Sequence, residues 1–203
     1  MSPQPILPAS LRWTWRDHAP GMAAEATARA WLGPLLGMAP DEVPLWRDVH
    51  GRPRLRAAAT GCDTGWSHSG DGLVVAFARG QQLGIDLERM RPRPNATALA
   101  RRFFARPEAD WLEALPDPAR EGSFLRLWCA KEAMLKAHGR GLAFGLAKLV
   151  FAERGGALEL VECDPALGAP GDWRVHEWSP RPGYRAALAW REGSLQCADE
   201  PDR

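Results

Sequence analysis

Apolar and polar positions along the chain follow both the strand and the helix period. "DGLVVAFARGQQLGIDLE" reads as two strands, Leu73 to Ala78 and Leu83 to Glu88, joined by a turn at Arg79 to Gln82. The second strand alternates strictly, with Leu83, Ile85 and Leu87 facing one way and Gly84, Asp86 and Glu88 the other. "ATARAWLGPLLGM", Ala26 to Met38, has helical spacing and stops in the breaker-rich "GMAPDEVP". Helices are also predicted over Ala96 to Ala105, over Pro107 to Leu115, and from a Ser123 N-cap to Gly139 or Gly141. "PDPAREG", just before the last of these, reads as a loop, and "RMRPRP" as an extended linker. Further strands are predicted at Lys148 to Ala152, Ala157 to Cys163, Trp173 to Trp178 and Tyr184 to Trp190. Helices and strands thus occur in both halves, an α+β pattern. "DGLVVAFA" and "PGYRAALAW" are alike in style, which hints at internal duplication.

Composition narrows the picture. At 203 residues the chain can bury a core as one large domain or two small ones. A formal net charge of +1 argues against a general nucleic-acid binder, which needs a basic excess to neutralise phosphates. Cys62, Cys129, Cys163 and Cys197 form no C-x-x-C pair and no metal-ligand spacing, which fits a reducing cytosol. The first residues lack the apolar core of a secretory signal, and no run is long enough for a membrane span. A cytoplasmic protein with no membrane partner is expected. Trp is plentiful at ten, for which core packing is the one account the sequence offers.

Candidate chemistry begins with lysine. The 26 basic residues are 23 Arg and three Lys, and two of those Lys, Lys131 and Lys136, flank Glu132 in "WCAKEAMLKAHGRGL". Arg and Lys are near-equivalent on a solvated surface, but differ where a compact, titratable charge is needed. Trp128, Glu132 and Lys136 share one helical face, although an ordinary surface Glu–Lys pair has the same spacing. Asp86 and Glu88 would stand about 7 Å apart on one sheet face, where a hard cation would relieve their repulsion. A half-buried strand with a solvated acidic face fits that alternation equally. His68, between Ser67 and Ser69 in "WSHSGDG", reads as a loop whose hydroxyls and backbone N–H groups suit a phosphate, or as a plain solvated turn. Three acids, two ammonium groups, a Ser-His-Ser loop and a Gly-rich helix end together point to phosphoryl-type transfer on a pyrophosphate substrate. No Walker loop, G-x-S-x-G or H-E-x-x-H motif points elsewhere.

These residues resemble a known family. "WSHSGDGLVVAFA", "GIDLE" and "FLRLWCAKEAMLKAHGRGL" are similar to the successive signatures of the 4'-phosphopantetheinyl transferases, G-[IV]-D-x-E followed by W-x-x-K-E-x-x-x-K-x-x-G-x-G-L. The form is the monomeric, surfactin-synthetase-activating (Sfp-like) type. "RRFFARPEADWL" resembles the F-[FS]-x-x-E segment between them, and the likeness runs from about Gly51 to Gly145. It implies a pseudo-dimer of two similar α/β halves related by a pseudo-twofold axis, taken as residues 1–93 and 94–203, with "RMRPRP" as the crossing and the active site in the cleft between them.

The reaction implied is transfer of the 4'-phosphopantetheine arm of coenzyme A to a serine of an acyl or peptidyl carrier protein, releasing adenosine 3',5'-bisphosphate. By motif position Asp86, Glu88 and Glu132 would hold Mg²⁺, with Mn²⁺ as the alternative. Glu132, or a water on the metal, would be the base, and Lys136 would neutralise or protonate the leaving phosphate. Ser67 and His68 would bind the nucleotide phosphates, and Arg52 in "GRPRL" stands where the family has Lys. Lys131 is a further phosphate or helix contact. Arg89, Arg91, Arg93, Arg101, Arg102 and Arg106 would steer an acidic carrier. The alternatives are a non-catalytic coenzyme A or carrier-binding module, and another Mg²⁺-dependent pyrophosphate-cleaving transferase or hydrolase.

Overall fold

The computed structural model describes residues 7–19, 21–56 and 59–192. Its framework is set by strands that are apolar on both faces. In β5 (Gly72–Arg79), Val74, Ala76 and Ala78 join Leu83, Ile85 and Leu87 of β6 (Gln81–Arg89) in one core cluster. Ala186, Leu188 and Trp190 of β10 (Tyr184–Glu192) complete it. The other face of β5, Leu73, Val75 and Phe77, packs on Ala28 and Leu32 of α1 (Ala24–Leu36). The other face of β10, Ala187 and Ala189, packs among the apolar residues of α4 (Ala119–His138). Two sheets therefore sit face to face with a helix outside each, and strands covered on both faces need near-continuous apolar sequence. The fold is mixed α and β.

The first sheet runs β1-β5-β4, with β1 (Leu11–Asp17) and β4 (Cys62–Ser69) antiparallel to β5. The second runs β6-β10-β9, with β9 (Trp173–Trp178) and β6 antiparallel to β10. Between β1 and β4 come α1 and the hairpin β2 (Leu45–Arg47) and β3 (Pro53–Leu55). Between β6 and β9 come α2 (Ala96–Phe103), α3 (Arg106–Ala114), α4 and the hairpin β7 (Leu149–Arg154) and β8 (Ala157–Cys163). Each sheet thus has the connectivity strand, helix, hairpin, strand, strand, with the last strand in the middle.

Three expectations change. "WSHSGDG" is not a loop up to Ser69: Ser67 and His68 lie on β4, in register with Val74 and Leu73 of β5, so one points inward and the other outward. β5 and β6 follow each other closely but pair in different sheets. Helix α4 starts at Ala119 rather than Ser123, because Arg120 draws "PAREG" against the end of α3. Its Nη2 donates to Leu115 O at 2.7 Å and its Nε to Leu112 O at 3.2 Å.

Helix α4 is buried along most of its length, so its charged residues need partners. Arg126 Nε donates to Glu177 Oε1 at 2.9 Å on β9. At its C-terminal half the helix backbone lies directly on β6. A Cβ on Gly84 would collide with the Ala133 carbonyl oxygen and the Ala137 amide nitrogen. Gly84 together with these small helix residues permits the approach, and Gln82 Nε2 fastens it by donating to Ala137 O at 2.7 Å. The helix ends at Gly139, with φ 93°.

Candidate active site

The approach of α4 to β6 brings Lys136 to the acidic face of the strand. Lys136 Nζ donates to Asp86 Oδ1 at 2.6 Å and to Ser67 Oγ at 2.8 Å, and Ser67 Oγ donates to the same Asp86 oxygen at 2.9 Å. Asp86 is 4% exposed, and its second oxygen, Oδ2, is buried without a hydrogen-bond partner. Glu88, two residues along the same face, pairs with Arg93 at 3.0 Å, and Ser69 Oγ donates to it at 3.4 Å. Burial, with a smaller contribution from the Asp86 charge, raises the Glu88 carboxyl above its usual range. The same two causes, in the same order, lift Glu132 to about 7.

The donor set fits a hard cation: hard oxygen ligands, an orphaned buried carboxylate oxygen, and carboxyls that raise one another's proton affinity. As the side chains stand, the Lys136 ammonium takes the position at Asp86. Among the described residues no group of three or more His, Cys, Asp or Glu is gathered closely enough to hold a metal ion.

A cleft of about 230 Å³ opens beside Lys136, with Arg47, Arg52, Trp66, Gly84 and Gly139 in its walls. Arg52 is 8% exposed and pairs with Asp63 at 2.5 Å, while also donating to Leu83 O at 2.7 Å. Asp63 in turn accepts from Leu83 N at 2.8 Å, so the pair fastens β6 to β4. Arg52 Nη1 is buried with no partner. Arg47 lies over the Trp66 ring, 5.3 Å from its centre. Ser67 is buried in the Lys136–Asp86 contact, whereas His68 is exposed beside His18, with ring centroids 5.0 Å apart. His18 is 6% exposed and its Nδ1 lacks a partner. The sequence reading gave no role to His18, Asp63 or Trp66; Trp66 opens the quoted "WSHSGDG", whereas no motif includes His18 or Asp63.

One site expectation is corrected. Of its two readings, phosphate or helix contact, Lys131 keeps only the second, because it is fully buried on the far side of α4. It pairs with Glu108 of α3 at 2.7 Å and donates to the carbonyl oxygens of Leu146 (2.9 Å) and Leu149. Glu108 also accepts from Phe151 N at 2.9 Å and Ala105 N at 3.0 Å. Burial lowers Lys131 to about 8 and raises Glu108. The pair joins α3, α4 and the start of β7. The arginines expected to steer a partner also divide. Arg101 is held by Asp110 at 2.5 Å and by Glu113, and Arg93 by Glu88, while Arg89 and Arg91 make no ion pair within 4 Å among the described residues.

The sequence model described as the 4'-phosphopantetheinyl transferase superfamily matches residues 82–189. The chain is also 37% identical over 170 residues to the 4'-phosphopantetheinyl transferase HetI of Nostoc sp., covering 82% of this chain and 68% of that protein. The chain belongs to the 4'-phosphopantetheinyl transferase superfamily. The resemblance read from its motifs is thereby borne out, and the chain is a member of a transferase family. It is 34% identical over 130 residues to a putative 4'-phosphopantetheinyl transferase of Synechocystis sp., which covers 61% of this chain and 52% of that one. With the 4'-phosphopantetheinyl transferase Sfp of Bacillus subtilis it shares 30% identity over 136 residues, 67% of this chain and 54% of that one. The chain therefore spans about half the length of these two relatives. Asp86, Glu88, Glu132 and Lys136 fall inside the family match, and Arg52, Ser67 and His68 lie before it. No helix of the described residues is long and apolar enough to cross a membrane.

Proposed function

We propose that this protein transfers the 4'-phosphopantetheine arm of coenzyme A to a serine hydroxyl of an acyl or peptidyl carrier protein, with release of adenosine 3',5'-bisphosphate. The observation that carries the reading is the Lys136–Asp86–Ser67 contact at the mouth of a basic cleft, with Glu132 on the same helix face poised to titrate near neutrality. Asp86, Glu88 and Glu132 would hold Mg²⁺, or Mn²⁺, which when bound would neutralise pyrophosphate charge.

The protein's own groups account for the rest. The cleft offers Arg52 and Arg47 for phosphate charge and the Trp66 face for a flat ring. Glu132, or a water beside it, would accept the serine proton. The serine oxygen attacks the phosphorus on the pantetheine side of the pyrophosphate, and the bond to the bridging oxygen breaks. Lys136 meets the charge that develops on that oxygen and supplies a proton to the leaving bisphosphate, which suits an ammonium better than a guanidinium.

The repeated connectivity of the two sheets supports a pseudo-dimer of two halves related by a pseudo-twofold axis; we read the protein as a cytoplasmic monomer. We place the division at Gly80 rather than at Arg93, because β6 pairs with β10; "RMRPRP" then lies within the second half. The test is intact-mass spectrometry of an apo carrier domain incubated with the protein, coenzyme A and Mg²⁺, beside a chelated control. The reading requires a gain of one phosphopantetheine that disappears on chelation. Failure to modify any of several acyl and peptidyl carriers would overturn it.

A further inference from the structure

Two walls of the cleft beside Lys136 come from separate elements. The turn of the β2–β3 hairpin supplies Arg47, His50 and Arg52, and the end of α4 supplies Lys136 and Gly139. Asp48, in that turn, stands behind the lining, and its carboxylate points back into the turn. Oδ1 accepts from the backbone amides of His50 and Arg52, both at 3.0 Å, and Oδ2 accepts from Arg54 Nε at 3.0 Å. The Asp48 backbone closes the same turn: its amide donates to Arg52 O at 3.0 Å, and its carbonyl accepts from Gly51 N at 2.8 Å. A short carboxylate that takes backbone amides of its own turn shapes that turn from inside.

The same carboxylate joins the turn to α4. A Cβ on Gly139, which ends the helix at φ 93°, would stand 3.0 Å from Arg54 Nη2, 3.5 Å from Arg52 Cδ and 3.8 Å from Asp48 Oδ2. The Asp48–Arg54 pair therefore rests on the C-terminal end of the helix that carries Lys136, where the helix dipole favours a guanidinium. The pair is well covered, with the Asp48 side chain 11% exposed and the Arg54 side chain 20%. Burial works against the charge of Asp48. The hydrogen bonds from Arg54 and from the Arg52 and His50 amides outweigh it and hold the carboxyl below its usual range. Arg52 is thus fixed at both ends, its amide on Asp48 and its guanidinium on Asp63 and Leu83 O. The buried Nη1 remains as its free donor.

We propose that Asp48 is a positioning residue for coenzyme A: it holds the hairpin turn against the end of α4, so that Arg52 and Lys136 face one cleft at a fixed separation. The proposal rests on the transferase reading for the identity of the ligand. Asp48 has no place in the cleft lining or on the acidic face of β6, so its effect falls on nucleotide binding and not on the transfer step. Without its carboxylate two turn amides lose their acceptor and Arg54 loses its partner beside Gly139. The backbone of Arg52 is then released while its tip stays on Asp63.

Wild type, Asp48→Ala and Asp48→Asn decide the matter. Coenzyme A is titrated calorimetrically into each with Mg²⁺ and no carrier, and carrier modification is then measured at varied coenzyme A. Asp48→Ala should bind coenzyme A about tenfold more weakly and raise KM in step, with kcat within about twofold of the wild type. Asp48→Asn keeps an oxygen for the two amides and should recover most of that affinity. Hydrogen exchange of the free proteins reads the turn without a ligand: Asp48→Ala should expose the amides of His50 and Arg52 and leave β5 and β6 protected. Equal affinity in wild type and Asp48→Ala overturns the proposal, as does a fall in kcat at unchanged KM or a loss in Asp48→Asn as large as in Asp48→Ala. Protection lost throughout the protein would make Asp48 a general stability contact and overturn it too. A wild type that binds coenzyme A but modifies no carrier removes the transferase reading, and the affinities alone then decide this proposal. A wild type that does not bind coenzyme A overturns both.

Discussion

Lys131 and Lys136 stand on the same helix and both meet a carboxylate, yet their surroundings have opposite purposes. Lys131 is sealed: its ammonium meets Glu108 and two backbone carbonyls, and the pair fixes α3, α4 and β7 together. Lys136 is partly open: it meets Asp86 and Ser67 at the edge of a cleft, and Asp86 keeps one oxygen unpartnered. The first region has every polar contact satisfied by the chain itself. The second has charge and donor capacity left over. That surplus is what distinguishes a site from a structural ion pair. In an Arg-rich chain both positions keep Lys in different surroundings: the first is fully buried against Glu108, and the second, under the proposed function, would meet the leaving phosphate and give it a proton.

The largest effect expected on either side is in the open region. Asp86→Ala should lower carrier modification by about 10³-fold or more while leaving thermal stability nearly unchanged. A stability loss as large as the activity loss would erase the distinction between the two regions. Next comes the sealed region. Lys131→Met leaves Glu108 buried and unpaired and should cost about 3 to 5 kcal/mol in chemical denaturation. Lys131→Met with Glu108→Leu should regain most of that loss and retain turnover; continued inactivity in the refolded double variant would show that Lys131 takes part in the chemistry. Lys136→Arg, which preserves charge, should reduce turnover by about 10²-fold. Full activity there would remove the case for proton transfer from Lys136.

The smallest effect is one of pH. Folding lowers Lys131 from 10.5 to about 8, so between those values the unfolded chain holds the extra proton and stability rises with pH. Urea melts across that window should favour the wild type over the Lys131→Met, Glu108→Leu double variant by about 2 kcal/mol. A flat difference would mean that the sealed pair does not carry the strain of burial assigned to it.

How much of this was legible in the chain follows the same division. The alternation of "GIDLE" placed Asp86 and Glu88 on one face and Leu83, Ile85 and Leu87 on the other, because a strand's period survives any packing. The end of α4 at Gly139 was readable from local backbone chemistry. For Lys131 the sequence left phosphate and helix contact both open, because its partner Glu108 lies on another helix with no spacing rule connecting them. β4 was misread in part because Gly65, Ser67, His68 and Ser69 have weak strand preference; its pairing with the apolar β5 decides the matter. Arg52, expected as a phosphate contact, does line the cleft, but its tie to Asp63 arises only when the β2–β3 hairpin folds over β4.

The most direct test of the contrast is a crystal structure of the protein with coenzyme A and Mg²⁺ bound. The account predicts the nucleotide in the cleft between Arg52 and Trp66, the cation at Asp86 with Lys136 displaced onto the pyrophosphate, and Lys131 unmoved on Glu108. A nucleotide bound elsewhere, or a Lys136 still locked on Asp86 with the pyrophosphate out of its reach, would contradict it.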